Sequence, residues 1–372
     1  MKIGIITPWW SHSNYGQILQ AYAMQQMLLS EGHEAFTIKY NGAADMAIKK
    51  YENDGLPKYL YAYIRQYFKY LLFDYYPLFD KRKFNIFKKE KIRFSSLYLT
   101  YEKLVAKHPK ADAYIVGSDQ VWGPWYRINP YLLSFGEKNT KRIAYAGSFG
   151  RETLSNNEIE NIAPLLKEFD YIGVREKSGI DVCKLIGDDR AVWVPDPTIL
   201  LKKSEWQKII KKSKYFETNK KKIFVYIIGS DNNIEIKKTV DLLSENEDAS
   251  VLYISDSADP LQNIYPSIQE WLGLIQEADF IVTNSFHGTV FSLLFNKEFI
   301  TLTRTGEKTK SMNTRIISLL ERMKLSSRLV ERIDKNYILS IKNNPINWAY
   351  IDCELDLWRK EGEEFLICSI GN

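Results

Sequence analysis

Residues 279–302 read DFIVTNSFHGTVFSLLFNKEFITL, and this stretch decides the fold class. A short apolar run ends in polar TNS, an apolar helical run follows HGT, and a second apolar run, EFITL, comes after it. Strand, helix and strand in this order form the unit that builds parallel sheets with right-handed crossovers. The stretch also places His287, one of only four histidines, at the junction between a predicted strand and a predicted helix.

The same order of elements opens the chain. KIGIITPWW (2–10) predicts a strand, ILQAYAMQQMLLSEG (18–32) a helix that ends at its glycine, and EAFTIKY (34–40) a second strand. The alternation resumes with ADAYIVGSDQVW (111–122) and continues to AVWVPDPTIL (191–200). Several of these runs end in polar or glycine-containing tips, and ligands of open parallel sheets bind at such carboxyl ends.

Two successive sheets predict an α/β protein with two Rossmann-like domains facing across a cleft. The lysine-rich stretch 202–222 lacks an apolar run, so we place the boundary there, with a first domain at 1–205 and a second at 220–350. A helical, aromatic-rich insertion occupies about residues 50–108 of the first domain. A last helix over 351–372 is a candidate to pack back on the first domain.

Composition excludes some classes of function. The chain has 372 residues and a formal charge of +5 on a mixed-sign surface, which does not by itself indicate nucleic-acid binding. Three widely spaced cysteines and no nearby histidine predict no metal site and a reducing, cytoplasmic location. The apolar run at the N-terminus is too short for a signal peptide. Neither GxGxxG nor GxxxxGK[ST] occurs, so dinucleotide and P-loop sites lose their main support.

Aromatic residues concentrate in YLYAYIRQYFKYLLFDYYPLF, residues 59–79. Arg65, Lys69 and Asp74 interrupt this stretch, and each charge would cost a few kcal/mol at the centre of a bilayer. We therefore predict an amphipathic helical segment whose apolar face packs on the protein, on an acceptor or on a membrane surface. The basic and aromatic stretch 59–93 makes peripheral membrane contact at the inner face a hypothesis to test.

The junction around His287 is the first candidate site. Backbone N–H groups near Gly288 and Thr289, in the first helical turn, are expected to face a bound phosphate or carboxylate. Asn284 and Ser285 can add donors, and His287 can give or take a proton near neutral pH. The alternative is a histidine that caps the helix or bonds a buried carbonyl.

A second group of candidates follows strands of the first domain. Arg175 can bind a carboxylate or phosphate through two parallel hydrogen bonds, with Glu176 orienting it; the alternative is a plain salt bridge. Asp119 can accept the proton of a sugar hydroxyl, or hydrogen bonds from it. Equally, Ser118 and Asp119 can be helix caps or turn formers.

Four further candidates, Asn14, Gly16, Arg304 and Arg315, carry weaker signals. Asn14 and Gly16, in NYGQ, suit a tight turn against a ligand, although a structural turn is the more common role. Arg315, and Arg304 before it, can donate to an anion but are also typical solvated residues. His12 and His108 have no partner that the sequence identifies.

Taken in order, several motifs resemble the polysaccharide pyruvyl transferase family. They are NYGQILQAYAMQQML (14–28), IVGSDQVW (115–122), SFG (148–150), VREKSG (174–179), PDPTIL (195–200) and ADFIVTNSFHGTVFSLLFNKEFITL (278–302). The resemblance spans about residues 3–325. The resemblance is weakest over the aromatic insertion and the last forty or so residues.

The resemblance implies a fold of the glycosyltransferase-B type and transfer of pyruvate from phosphoenolpyruvate to two hydroxyls of one sugar, forming a cyclic ketal. The context it implies is synthesis of capsule, exopolysaccharide or other envelope glycans, with a saccharide acceptor that is lipid-linked in some cases, and no cofactor. His287 becomes the general acid or base, with Asp119 or Glu176 receiving a hydroxyl proton. The resemblance also implies donor binding by Arg175. From the residues themselves we add Asn284, Ser285, Gly288, Thr289 and Arg315 as donor-binding candidates and Asn14, Gly16 and Ser118 as acceptor-binding candidates.

One departure from the family pattern concerns Ser285, where some relatives have arginine. Either Arg304 or Arg315 supplies the missing positive charge, or the donor differs. Two alternatives therefore stay open: a nucleotide-sugar glycosyltransferase of the same architecture, and a catalytically silent protein that binds glycans or anchors an assembly.

Overall fold

Two parallel β-sheets organise the chain in a computed structural model, which describes residues 1–76, 80–123, 128–217, 219–229, 233–245, 247–255, 264–306 and 310–371. The chain divides into two compact units. The first unit consists of residues 1–12, 17–200 and 359–371, and the second of residues 13–16 and 201–358. Both sheets pair in parallel throughout, which confirms two Rossmann-like domains.

The sheet of the first unit has the strand order β3–β2–β1–β4–β5–β6–β7. Its strands are β1 Lys2–Ile6, β2 Glu34–Tyr40, β3 Phe94–Tyr98, β4 Ala113–Val116, β5 Lys141–Gly147, β6 Tyr171–Val174 and β7 Val192–Trp193. The helices that accompany them are α1 Tyr15–Ser30, α2 Gly42–Lys49, α3 Leu56–Tyr70, α4 Phe84–Lys91, α5 Tyr101–Ala106, α6 Ile128–Tyr131, α7 Asn156–Leu166, α8 Ser178–Leu185 and α9 Pro197–Leu200.

The sheet of the second unit has the order β12–β11–β10–β8–β9. Its strands are β8 Lys221–Ile227, β9 Ala249–Ser255, β10 Phe280–Thr283, β11 Glu298–Leu302 and β12 Leu329–Val330. The later helices are α10 Lys203–Gln207, α11 Asn233–Ser244, α12 Ile268–Glu277, α13 Phe286–Leu294, α14 Thr314–Arg322, α15 Lys335–Asn343 and α16 Trp348–Gly371. The part of α16 from Arg359 onwards belongs to the first unit, where Arg359 Nε donates to the Ile199 carbonyl at 2.8 Å.

Continuous apolar runs explain the central strands. β4 and β10 are buried at every position, as expected for strands covered on both faces. The helix α13 is also buried along its whole length, and its apolar sequence FHGTVFSLL has no polar face to present to water. Its Ser292 Oγ donates to the Gly288 carbonyl within the helix, so the hydroxyl does not oppose burial.

The predicted insertion at 50–108 proved only partly helical. It contains α3, a π-helical turn at Leu71–Tyr75, α4 and α5, but also the strand β3, which pairs with β2. The prediction missed β3 because FSSLY has only five residues, shows neither a continuous apolar run nor a regular alternation, and follows a basic helical run. Of the predicted amphipathic segment, residues 77–79 lie outside the described residues.

The helix α3 buries little of its apolar surface: its buried residues are Ala62 and Tyr70. Large apolar side chains stand exposed along it, namely Leu56, Leu60, Tyr61, Ile64, Tyr67 and Phe68. Within the described ranges, none of the helices combines the length and apolar composition that crossing a membrane requires. In the same part of the chain, no group of three His, Cys, Asp or Glu side chains is placed to hold a metal ion.

Candidate functional site

Side chains of the connection between β10 and α13 fix the junction where His287 lies. The hydroxyl of Ser285 caps α13 by accepting a hydrogen bond from the Gly288 N–H at 3.3 Å. Thr283 Oγ1 donates to the Tyr226 carbonyl at 2.6 Å and accepts from the Ser285 N–H at 3.1 Å. The polar TNS that follows the strand is therefore used to end β10 and start the helix.

The first turn of α13 satisfies two of the N–H groups expected to face a ligand. The Gly288 N–H bonds the Ser285 hydroxyl, and the Thr289 N–H and Oγ1 each donate to the Ser285 carbonyl at 3.0 Å. A Cβ on Gly288 would lie 3.1 Å from Thr283 Cβ and closer still to its Oγ1, so the glycine lets the helix pack on the strand. A part for these residues in donor binding stays a prediction.

His287 lies in the first turn of α13, 6% exposed, with its ring against Gly16. A Cβ on Gly16 would lie 2.7 Å from His287 Cβ and closer still to ring atoms Cγ and Nδ1. The ring of Phe286 meets the imidazole edge-on at a centroid distance of 5.2 Å. The start of α1 at Tyr15 and Gly16 and the HGT junction, far apart in sequence, therefore form one site within the second unit, and Gly16 lies in a helical turn rather than in the expected tight turn.

Tyr15, the first residue of α1, fixes the start of this helix. Its ring stacks on Trp271 with centroids 5.0 Å apart and planes 9° from parallel. Its hydroxyl donates to the Pro266 carbonyl at 2.7 Å. Because Gly16 directly follows this anchor, the first turn of α1 holds Gly16 against His287, and Asn14, which precedes the anchor, is half-buried.

The Gly16→Ala variant should therefore displace the His287 ring. A misplacement of about 1 Å can cost roughly 100-fold in rate, and we expect a loss of that order in transfer activity. The clash with the buried His287 side chain should also lower stability by about 1–3 kcal/mol, so activity is compared at a temperature at which the variant is folded. Gly371→Ala is the control, since a Cβ there meets nothing within 4 Å. Equal activity of the two variants would contradict a dependence on the His287 position.

Asn284 fixes the carboxyl end of β8 to that of β10. Its Oδ1 accepts from the Ile228 N–H at 2.7 Å, and its Nδ2 donates to the Ile228 carbonyl at 3.0 Å. Both bonds are to backbone, so the side chain has a clear structural role. One N–H of the amide remains beyond these two bonds, and donor binding by Asn284 stays a prediction.

Two arginines lie close to this junction within the second unit. The Arg315 guanidinium carbon is 5.8 Å from the centre of the Phe286 ring, next to His287. The Arg304 Nη2 would be 2.8 Å from a Cβ on Gly229, just after β8. Both are half-buried and follow the last central strand. Either can supply the positive charge that Ser285 lacks, and Arg315 is the one that contacts the neighbour of His287.

The first unit contains the second predicted group, and its centre is a buried ion pair. Arg175 Nη1 lies 3.1 Å from Asp196 Oδ2, and both side chains are 0% exposed. Nη2 lies 3.5 Å from Asp119 Oδ1. The guanidinium thus faces two carboxylates, an arrangement that favours a positioning part for Arg175. Donor binding by Arg175 stays a prediction that requires the donor to compete with them.

Asp119 is the more accessible carboxylate, with a side chain 16% exposed. Its φ of 78° lies in the left-handed region, which a residue other than glycine adopts at a cost. Its carbonyl holds this conformation by accepting from the N–H groups of Val121 at 2.8 Å and Ser148 at 3.2 Å. Such a strained polar residue at the end of a parallel strand is typical of a functional site.

Glu176 is fully buried and holds the GSFG loop, residues 147–150, through hydrogen bonds. Its Oε1 accepts from Ser148 Oγ at 2.9 Å, the Phe149 N–H at 3.0 Å and the Gly150 N–H at 3.3 Å. A carboxylate enclosed in this way is poorly placed to meet a sugar hydroxyl. The geometry therefore favours Asp119 over Glu176 as the proton acceptor.

Ser118 sits inside the same network, and its predicted contact with the acceptor is untested. Its Oγ donates to the Ala146 carbonyl at 3.0 Å or to Asp196 Oδ2 at 2.9 Å, and accepts from Arg175. Its N–H donates to Gln20 Oε1 at 2.9 Å, and its carbonyl accepts from Thr7 Oγ1 at 3.0 Å. These bonds position Asp119, the next residue.

The sequence profile described as "Polysaccharide pyruvyl transferase" matches residues 14–306. The chain belongs to the polysaccharide pyruvyl transferase family. No curated protein matches it significantly.

Solved structures similar to this pyruvyl transferase support the glycosyltransferase-B fold. The UDP-N-acetylglucosamine 2-epimerase of Rickettsia bellii has a TM-score of 0.55 at 10% identity, covering 99% of this chain and 96% of that one. A putative UDP-N-acetylglucosamine 2-epimerase of Listeria monocytogenes has a TM-score of 0.50 at 10% identity, covering 96% and 91%. At such identities the likeness shows the fold alone.

The sequence analysis missed Asp196, which the pyruvyl transferase uses to balance Arg175. It lies in PDPTIL, a motif that carried the resemblance, and its Oδ1 accepts from the Thr198 N–H at 3.0 Å and Oγ1 at 2.7 Å. A buried carboxylate between two prolines was the available signal. The partner of His12 was not predicted either: its Nε2 lies 3.4 Å from Asp74 Oδ1.

Proposed function

We propose that this pyruvyl transferase takes pyruvate from phosphoenolpyruvate and joins it to two hydroxyls of one sugar, forming a cyclic ketal. The acceptor is a precursor of a capsular or other cell-envelope polysaccharide. The observation that carries the proposal is the buried His287 on the first turn of α13, held against Gly16, with Arg304 and Arg315 in the same unit.

The charges of the second unit suit this donor. Phosphoenolpyruvate carries a carboxylate and a phosphate, and guanidinium groups bind both through paired N–H donors. The positive end of the α13 dipole adds to the attraction for an anion near His287. A nucleotide sugar also carries phosphates, so charge alone does not choose the donor, and the product must be identified.

The reaction needs two proton donations and two proton acceptances. His287 gives a proton to the methylene carbon, which becomes a methyl group, while the adjacent carbon becomes electrophilic. The first sugar hydroxyl attacks that carbon and loses its proton to Asp119. Phosphate then leaves with the electron pair of its carbon–oxygen bond. The second hydroxyl attacks the same carbon and loses its proton. Of the two protons released by the hydroxyls, one replaces the proton that His287 gave to the methylene carbon, and the other leaves on inorganic phosphate.

In this scheme Arg175 and Asp196 are positioning residues. They hold Ser118 and Asp119 through the bonds described above, whereas Glu176 holds the loop at residues 148–150. Asp119, with its partly exposed carboxylate, is the residue proposed to touch the acceptor.

Product analysis tests the proposal. The enzyme is incubated with phosphoenolpyruvate and envelope glycan precursors, the glycans are separated, and mild acid is used to release ketal-bound pyruvate for assay. We expect acid-labile pyruvate and an equal amount of inorganic phosphate. Transfer of a sugar from a UDP-sugar, without ketal formation, would instead identify a glycosyltransferase.

Peripheral contact with an anionic membrane, at the inner face from the cytoplasm, is part of the proposal. It is supported by the exposed apolar residues of α3 and by nearby Lys58, Arg65 and Lys69, since each basic residue near an anionic surface adds roughly 1 kcal/mol. We expect flotation with phosphatidylserine vesicles, lost in Leu60→Ser/Tyr61→Ser/Phe68→Ser. Ile234→Ser, which removes an 83% exposed isoleucine, should float normally. Wild-type protein left at the bottom of the gradient would refute this contact.

A further inference from the structure

The aromatic insertion of the first unit encloses two neighbouring cavities that the proposed chemistry does not use. One, of about 280 Å³, is lined by aromatic side chains and by Lys39, Lys88 and Lys89. The other, of about 460 Å³, lies against Trp10 and His12. Tyr70 and Asp74 line both, so they form the wall between them.

The ammonium group of Lys39 is surrounded by aromatic rings. Its ammonium lies over three rings, 5.0 Å from the centre of Tyr70, 5.2 Å from Phe94 and 5.3 Å from Trp9. It donates to the Tyr70 hydroxyl at 2.9 Å. Among the residues that the structure describes, no carboxylate lies within ion-pair distance of Lys39. Rings stabilise a cation without neutralising it, so these contacts leave the charge of the Lys39 ammonium unbalanced.

Lys88 adds a second charge that is only partly balanced. Its side chain is 5% exposed, and its ammonium lies 3.2 Å from Asp74 Oδ1 and 5.4 Å from the centre of the Trp9 ring. His12 also points at this Asp74 oxygen. The cavity lining thus contains the three basic residues Lys39, Lys88 and Lys89 and one acidic residue, Asp74, which pairs with Lys88.

Burial lowers the pKa of the Lys39 and Lys88 ammonium groups, while Asp74 opposes the shift for both. The chain thus keeps two poorly solvated cations in a space open to a small molecule, which an anion would stabilise. Burial also raises the pKa of Tyr70 to about 12, so its hydroxyl keeps its proton. While accepting from Lys39, that hydroxyl can donate to a ligand.

We propose that this cavity, lined by Trp9, Lys39, Tyr70, Lys88 and Phe94, binds the phosphate and adjoining sugar ring of a phosphorylated saccharide acceptor. Two lysines and a tyrosine hydroxyl match a dianionic phosphate, for which lysine acts as a point charge. The aromatic walls offer flat apolar surfaces to a sugar ring. This inference rests on the proposed saccharide acceptor and specifies its chemical class.

The position of the cavity in the sheet agrees with an acceptor role. Trp9 follows β1, and its Nε1 donates to the carbonyl of Tyr40, the last residue of β2, at 2.8 Å. On the other side of β1 lies β4, which leads to Asp119. Two strand spacings of about 4.8 Å separate β2 from β4, or about 10 Å. That distance is on the scale of a short saccharide, so one molecule could contact both places.

Titration calorimetry with glucose 1-phosphate, glucose, inorganic phosphate and phosphoenolpyruvate tests the inference. We expect glucose 1-phosphate to bind more tightly than glucose and more tightly than inorganic phosphate, because it uses both the lysines and the rings. Lys39→Met should weaken it roughly 10-fold or more. Lys103→Met is the matched control, since Lys103 also donates to a tyrosine hydroxyl, Tyr63 at 2.8 Å, and lies over its ring outside both cavities.

A second variant guards against misfolding. Lys88→Met combined with Asp74→Asn removes the buried pair together, and it should weaken glucose 1-phosphate binding while leaving phosphoenolpyruvate binding unchanged. Absence of glucose 1-phosphate binding to the wild type, or equal affinity in Lys39→Met, would overturn the inference. Loss of phosphoenolpyruvate binding in Lys39→Met would overturn it too, by placing the donor here. None of these readouts depends on turnover, so failure of the proposed ketal chemistry would be seen separately.

Discussion

We expect His287→Ala to reduce pyruvyl transfer about 10²- to 10⁴-fold, the loss that follows removal of a positioned acid–base group. His287 is buried on the first turn of α13, and Gly16 and Phe286 fix its ring. Initial rates of ketal formation at saturating acceptor measure the effect. Because the proposed step is proton transfer, the loss should fall on kcat rather than on KM.

Folding of the variant must be checked in the same experiment. His33→Ala is a suitable control, since His33 lies in the turn between α1 and β2 and belongs to neither site. Wild-type kcat in a folded His287→Ala protein would remove His287 from the mechanism and return it to the structural alternatives of a cap or buried bond.

The second large effect concerns stability. Asp196→Ala should lower the free energy of unfolding by about 3–5 kcal/mol, because it removes the nearer of the two carboxylates that face the fully buried Arg175 guanidinium. The change also removes an acceptor of the Ser118 and Thr198 hydroxyl groups. Urea denaturation followed by circular dichroism measures the difference.

Two variants separate this effect from nonspecific damage. Glu205→Ala breaks the exposed pair with Lys208 and should change stability by less than about 1 kcal/mol. Arg175→Met added to Asp196→Ala should recover part of the loss, since no unpaired charge then remains buried. An Asp196→Ala protein as stable as the wild type would show that Arg175 finds another counter-charge.

The sequence predicted the elements that depend on local pattern. Continuous apolar runs such as FIVT mark strands buried on both faces, and the order of strand, helix and strand restricts the topology to parallel sheets. The short strand β3 was not predicted, because FSSLY has no such run and the strand depends on pairing with β2.

The positions of the candidate residues in the fold were predictable from the sequence, but their contacts were not. His287 and Asp119 stand at strand ends that the pattern identifies. The packing of His287 on Gly16, and the pairing of Arg175 with Asp196, join residues far apart in the chain, which periodicity and motif spacing do not reveal. For the same reason the cluster of Lys39 and Lys88 around Trp9 became visible only in three dimensions.

The most direct test of the central claim, that phosphoenolpyruvate is the donor, is its effect on thermal unfolding compared with that of UDP-N-acetylglucosamine. We predict that phosphoenolpyruvate at 100 times its Kd stabilises the wild type by about 2.7 kcal/mol. The effect should shrink in Arg315→Met and persist in Lys324→Met, which removes a cation that lies over Tyr350 instead. Stabilisation by UDP-N-acetylglucosamine, with none by phosphoenolpyruvate, would contradict the account.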